Sequence, residues 1–230
     1  MSISYKKTSI IICFSILISS VFFDSCNFWQ RKTIKESEMH EKAGDTIVLG
    51  FKPAILEKGI SSIIQSPLSG NLVMAGTVSQ GVADRMTANL FARIPRDNSY
   101  HLVSPSQTVG IYSSIISSGN GRQEIDLYQK IGQAFSADTI LTGYIYRWED
   151  RRGSDYSASS PASVSFDLYL IRTRDKAILW RSQFDKTQRS LTENLFDLGT
   201  FLKGKGRWMT ADELAIIGLE EILDDLFNII

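Results

Sequence analysis

The feature that most constrains this chain is a stretch of strict alternation. Ala162, Val164, Phe166, Leu168 and Leu170 alternate with Ser163, Ser165, Asp167 and Tyr169. Successive side chains of an extended strand point to opposite faces, so a period of two predicts a half-buried strand, apolar inward and polar outward. Arg172-Thr173-Arg174-Asp175-Lys176 then supplies a turn, and residues 177–186 return with Ile178, Trp180 and Phe184 on one face. The two runs together predict a β-hairpin. One apolar hairpin face needs a covering layer, and helices are what the rest of the chain offers.

Val82, Met86, Leu90 and Ile94 recur four apart and stop at Pro95, which predicts an amphipathic helix over 79–94. Asn120 with Gln123 predicts a second helix start, continued by a buried stripe of Ile125, Tyr128, Ile131 and Phe135. Thr210 with Glu213 forms a capping-box pair ahead of a third stripe, Ala215, Leu219, Ile222 and Leu226. Residues 46–51, 100–104 and 139–148 read as further strands. Residues 52–78 resist assignment. Pro53 can open a short helix carrying Leu56, Ile60 and Ile63, but Pro67, Gly70 and Gly76 interrupt anything longer. The expected fold class is therefore α/β: a single mixed β-sheet with flanking helices, in the order strand, helix, strand, helix, three strands, helix.

The N-terminus is not part of that fold. Lys6 and Lys7 precede an apolar run over 8–23 broken only by small serines, the layout of an export signal and too short for a membrane span. The run closes on Phe23-Asp24-Ser25-Cys26, which resembles a bacterial lipoprotein signal, although Asp24 stands where a small residue is usual. That resemblance implies cleavage before Cys26, acylation of its thiol and terminus (palmitate included), and, with Asn27 next, the outer membrane. Two other readings stay open: plain secretion after a cut behind Ser20, and an uncleaved anchor. Cys13 leaves with the leader, so Cys26 is the lone exported cysteine, and acylation accounts for a free thiol in an oxidising compartment. The expected organisation is a signal peptide over 1–25, a lipidated N-terminus and polar tether over 26–44, and a periplasmic α/β domain over 45–230. Eighteen tether residues reach at most about 60 Å.

Composition removes several functions. With 25 basic and 25 acidic residues there is no overall electrostatic case for nucleic acid. Two cysteines and two histidines are too few for a zinc cluster, and neither His40 nor His101 has a second ligand at metal spacing. The segment from Gly199 to Gly206 nearly matches a phosphate loop, but Gly206 replaces the hydroxyl residue that would hold magnesium. No serine sits in a Gly-x-Ser-x-Gly elbow. Glu149-Asp150 followed by Arg151-Arg152 reads as a self-neutralised, solvated loop, and Trp148, Tyr156 and Trp208 read as packing residues at strand ends. No catalytic, cofactor-binding or metal-ligating residue emerges, so an enzyme is not expected.

Two stretches resemble a known group. Residues 127–147, LYQKIGQAFSADTILTGYIYR, look like a helix that ends in a small-Ala-Asp turn and enters a strand reading apolar-x-Gly-x-apolar. Residues 166–180, FDLYLIRTRDKAILW, look like that group's hairpin, with a charged turn, two apolar positions and Trp. The group comprises the curli-secretion lipoprotein CsgG, the penicillin-binding-protein activator LpoB and the N-terminal domain of TolB. The resemblance spans 45–228, best over 123–182, and its motifs are structural. It implies an outer-membrane lipoprotein whose periplasmic domain binds another envelope protein without catalysis. Membrane attachment would come through lipid alone, and self-association into a homo-oligomer is compatible with it. A secretion-pore subunit like the curli exporter and an activator of peptidoglycan synthesis are the alternatives. Within the unassigned 52–78 segment, Ile63 and Ile64 are the candidate partner contacts, set against the alternative that they fold back as core.

Overall fold

A computed structural model describes residues 44–54, 62–96, 100–104, 107, 124–189 and 207–229. The chain enters β1 (Thr46–Pro53), then a short hairpin of β2 (Ser62–Gln65) and β3 (Leu72–Ala75), helix α1 (Gln80–Phe91) and β4 (Tyr100–Leu102). Helix α2 (Glu124–Ala134) leads to β5 (Thr139–Glu149), a small ribbon of β6 (Arg152–Gly153) and β7 (Ala158–Ser160), and the long hairpin β8 (Ser163–Arg172) and β9 (Ile178–Thr187). Helix α3 (Ala211–Phe227) ends the described chain.

The main sheet has the order β4-β1-β5-β8-β9. β4, β1 and β5 are parallel, and β8 and β9 continue antiparallel, so the sheet is mixed as the element order predicts. The step from β1 to β4 runs one way across the sheet and the step from β4 to β5 runs the other. Right-handed crossovers must then put α1 and α2 on opposite faces. They do. α1 buries Val82, Met86 and Leu90 beside α3 on one face, while α2 buries Leu127, Tyr128 and Ile131 on the other.

The first face is the larger apolar core. Phe166 of β8 lies between Phe51 and Phe184, at ring separations of 5.6 and 5.4 Å. Trp180 is fully buried there and its indole Nε1 donates to Asp225 Oδ2 at 3.3 Å. α3 starts where the sequence places it: Thr210 Oγ1 accepts from the Glu213 amide at 3.2 Å, and Glu213 Oε2 accepts from the Thr210 amide at 3.0 Å. Ala215, Leu219, Ile222 and Leu226 are all buried.

Four expectations need correction. Ile178 does not share a face with Trp180 and Phe184: an irregularity in the β8–β9 register, which skips Leu179, turns it to the other core. β8 is not half-buried but buried along its whole length, because the β2–β3 hairpin, together with α2, covers the face of the sheet that carries Asp167 and Tyr169. Phe135 is not part of the α2 stripe. The helix stops at Ala134, Ser136 turns into the left-handed region (φ 54°), and Phe135 is left 41% exposed while Leu127 fills the stripe. Asp150 does not belong to a self-neutralised loop: its Oδ1 accepts from the Ala211 amide at 3.0 Å, an anion at the positive end of α3. The Asn120 and Gln123 start lies outside the described residues, as do residues 55–61.

Candidate functional site: a neutral hairpin over a buried polar cluster

The β2–β3 hairpin lies within the segment 52–78 that resists assignment from sequence. Its register pairs Ile63 with Met74, Ile64 with Val73 and Gln65 with Leu72. The pleat divides these residues between two sides. Val73 and Ala75 are buried in the second core and Ile64 packs against it, half-buried. Ile63, Leu72 and Met74 point the other way, 65%, 71% and 62% exposed. The two isoleucines singled out in the sequence are thus separated by one peptide bond and by the thickness of the hairpin. The helix considered for Ile63 is excluded, since a strand holds it. From Ser62 to Ala75 the hairpin contains no ionisable side chain, so its outer ridge is uncharged, with the amide of Gln65 beside Ile63, Leu72 and Met74.

The hairpin is tied to the sheet by polar bonds at both ends. The Gly76 amide donates to the Tyr146 carbonyl at 2.7 Å. Arg147 Nη1 donates to the Met74 carbonyl at 3.1 Å, while its Nε donates to Ser163 Oγ at 2.7 Å and its Nη2 pairs with Asp185. At the turn, the Ser66 amide donates to the Asn71 carbonyl at 2.8 Å and the Gly70 amide to the Ser66 carbonyl at 2.9 Å. The Asn71 amide, oriented with its oxygen toward Arg181, accepts from both Nη atoms at 3.1 and 3.0 Å.

Beneath that turn lies a sealed polar cluster. Asp167 is 2% exposed. Its Oδ2 accepts from the Tyr146 hydroxyl at 2.6 Å, from the Tyr169 hydroxyl and from Ser66 Oγ at 3.2 Å. Ser66 Oγ also lies 2.7 Å from the Tyr146 hydroxyl and 2.8 Å from that of Tyr169. Burial pushes the Asp167 carboxyl up to about 6, against the pull of the hydroxyl bonds. Burial first, and then the neighbouring carboxylate, holds Tyr146 and Tyr169 well above the usual tyrosine range.

A second, half-buried charge sits on the same face. The Lys52 ammonium pairs with Glu124 at the start of α2 and lies 5.1 and 4.8 Å from the ring centres of Tyr128 and Tyr144. Burial alone would lower its affinity for a proton, but Tyr128 and Glu124 outweigh that and leave it raised. The Tyr128 and Tyr144 hydroxyls are 2.9 Å apart. This pair anchors α2 to β1 and β5. A groove of about 480 Å³ lies between the end of α1 and β4, lined by Phe91, Ile94, Tyr100 and Leu102 with Arg96 at its side.

The remaining sequence candidates fall in several places. Cys26, His40 and the Gly199–Gly206 loop lie outside the described residues. His101 is exposed on the edge strand β4. Trp148 packs on the α1–α3 core as expected, whereas Tyr156, in the turn between β6 and β7, is 83% exposed. Among the described residues no group of three His, Cys, Asp or Glu side chains comes together in a way that could hold a metal, and no helix is long and apolar enough to cross a membrane. Neither the Asp167 cluster nor the exposed ridge was foreseen, beyond Ile63 itself.

No family profile matches the chain, and no curated protein sequence is significantly similar to it. Solved structures are similar at low identity. The LpoB C-terminal domain from Salmonella enterica aligns at 12% identity over 64% of this chain and 84% of its own, with a TM-score of 0.36. Lipoprotein GNA1162 from Neisseria meningitidis aligns at 14% identity over 68% and 89%, TM-score 0.34. The hypothetical protein CT253 from Chlamydia trachomatis aligns at 12% identity over 81% and 96%, TM-score 0.42.

Proposed function

We propose that this chain is an outer-membrane lipoprotein, anchored through Cys26, whose periplasmic α/β domain is a non-catalytic binding module for another envelope protein. The observation that carries the binding role is the outer ridge of the β2–β3 hairpin. Three large apolar side chains, Ile63, Leu72 and Met74, stand more than half exposed side by side on a rigidly bonded strand pair. Exposed apolar groups gathered on one face point to an interaction site, where single scattered ones do not. The anchor reading is supported by the leader: the apolar run, Ser25-Cys26 at its end, and Asn27 after it.

The pore alternative gains nothing from the described connection between β5 and β8. A strand that crosses a bilayer needs about 9–11 residues. β6 and β7 have 2 and 3. The other candidate segment, 187–207, lies largely outside the described residues.

The test uses the two isoleucines that the hairpin separates. Ile63→Ser together with Met74→Ser should abolish a partner captured by crosslinking in cells and leave the melting temperature unchanged. Ile64→Ser should do the reverse, melting earlier through loss of core contact. A ridge variant that keeps every crosslink would remove the hairpin from the binding role.

A further inference from the structure

The Asp167 cluster has more contacts than protons. Asp167 Oδ2, the Tyr146 and Tyr169 hydroxyls and Ser66 Oγ make five close oxygen–oxygen contacts. Three hydroxyls supply three protons, so with an ionised carboxylate two of the five contacts must share a proton or go without one. A protonated carboxyl supplies a fourth donor. Asp167 Oδ1 is buried with no hydrogen-bond partner, which leaves half of an ionised carboxylate uncompensated.

Among the described residues no cation pairs with it. From β5 the cluster is faced by Tyr144, Tyr146 and Arg147, from β8 by Tyr169, and from β9 by Arg181 and Asp185, with neutral Gln183 opposite Asp167 in the register. Arg147 is engaged by Asp185 and the Met74 carbonyl, while Arg181, itself buried, keeps its charge and among the described residues bonds only the neutral Asn71 oxygen, its Nε without a partner. No ion pair joins either arginine to Asp167. Lys52 and Glu124 satisfy each other beyond Tyr144. The hairpin that closes the site brings no charge at all. Ser66 joins the hairpin turn directly to the carboxyl, so whatever charge Asp167 carries is felt at the turn.

We propose that the β2–β3 hairpin is latched to the sheet by a proton held among Asp167, Tyr146, Tyr169 and Ser66, so that rising pH loosens the hairpin. With the hairpin closed, the carboxyl is sealed from water and holds its proton to about pH 6. With the hairpin lifted, the carboxyl meets water and returns to an ordinary aspartate, near 3.9. Opening therefore releases a proton, and ionisation favours the open form. The latch concerns how firmly the ridge is presented, and it holds whatever that ridge contacts.

Hydrogen exchange on the full chain tests it. Protection of the Ile64, Val73 and Gly76 amides, corrected for the intrinsic pH dependence of exchange, should fall about tenfold between pH 5 and 7 and level off above. Amides in the middle of α3 should show no such fall. Asp167→Asn, neutral at every pH, should hold hairpin protection constant from pH 5 to 8. Tyr146→Phe, which removes one hydroxyl and keeps the ring, should shift the midpoint of the fall upward. Hairpin protection that is flat in the wild-type chain, or that falls equally in Asp167→Asn, overturns the proposal. If Asp167→Asn does not fold, the wild-type profile against α3 and the Tyr146→Phe shift decide it.

Discussion

Phe51 occupies the space that Gly143 leaves empty. A Cβ on Gly143 would lie 2.5 Å from Phe51 Cε1 and 2.5 Å from the Asp167 backbone oxygen. The missing side chain lets the Phe51 ring of β1 lie across β5 and reach Phe166 of β8, joining three strands through one aromatic contact. The glycine in the motif LTGYIY is there for packing, and the carbonyl beside it cannot give way as a flexible side chain would.

Gly143→Ala should therefore destabilise the domain by about 1–3 kcal/mol through overpacking. Denaturant unfolding monitored by tryptophan fluorescence reads the loss, and an unchanged midpoint would mean that the strands can separate at little cost. Gly70→Ala, at a hairpin turn with nothing near its Cβ position but a positive φ of 66°, is the comparison for backbone strain alone.

Asp167 gives global stability a definite pH dependence. Its folded pKa is raised, so its contribution is complete below the unfolded value of about 4 and is lost as pH rises through about 6. The rise from about 4 to about 6 corresponds to a loss of about 3 kcal/mol across that window. Wild type minus Asp167→Asn, compared in urea titrations at pH 4, 5, 6 and 7, should show a difference that grows with pH and then levels. The subtraction removes Asp175 and Glu213, whose carboxyls are held low by Arg172 and Arg207 and act in the opposite sense.

Cys26→Ser should lose its acyl groups and move to the soluble periplasmic fraction. Fractionation and acyl-group mass spectrometry check this, and membrane attachment that survives the substitution would favour an uncleaved anchor.

Much of the fold could be read from local pattern. The β8–β9 hairpin announces itself because the nine residues 162–170 alternate without a break and the turn after them closes with Arg172 and Asp175, bonded at 2.8–3.1 Å. α3 announces itself because a capping box is a pair of residues three apart. The β2–β3 hairpin does not. Its strands have four residues each, and Ile63, Ile64, Leu72, Val73 and Met74 are apolar on both sides, so no alternation separates core from surface. Asp167 reads as solvent-facing for a related reason. A polar residue between apolar ones reads as outward-facing, and its burial depends on Ser66, 101 residues away, arriving from a hairpin that the pattern does not disclose.

The central claim is that the outer side of the hairpin meets a partner while the inner side is core. A photo-crosslinking amino acid placed at Leu72 in the full, exported chain tests it most directly, with Asp224 on the exposed side of α3 as reference. The account predicts one discrete adduct with another envelope protein from position 72, lost when Ile63 and Met74 are changed to Ser, and none from position 224. Equal labelling from both positions, or a position-72 adduct indifferent to Ile63 and Met74, would contradict it.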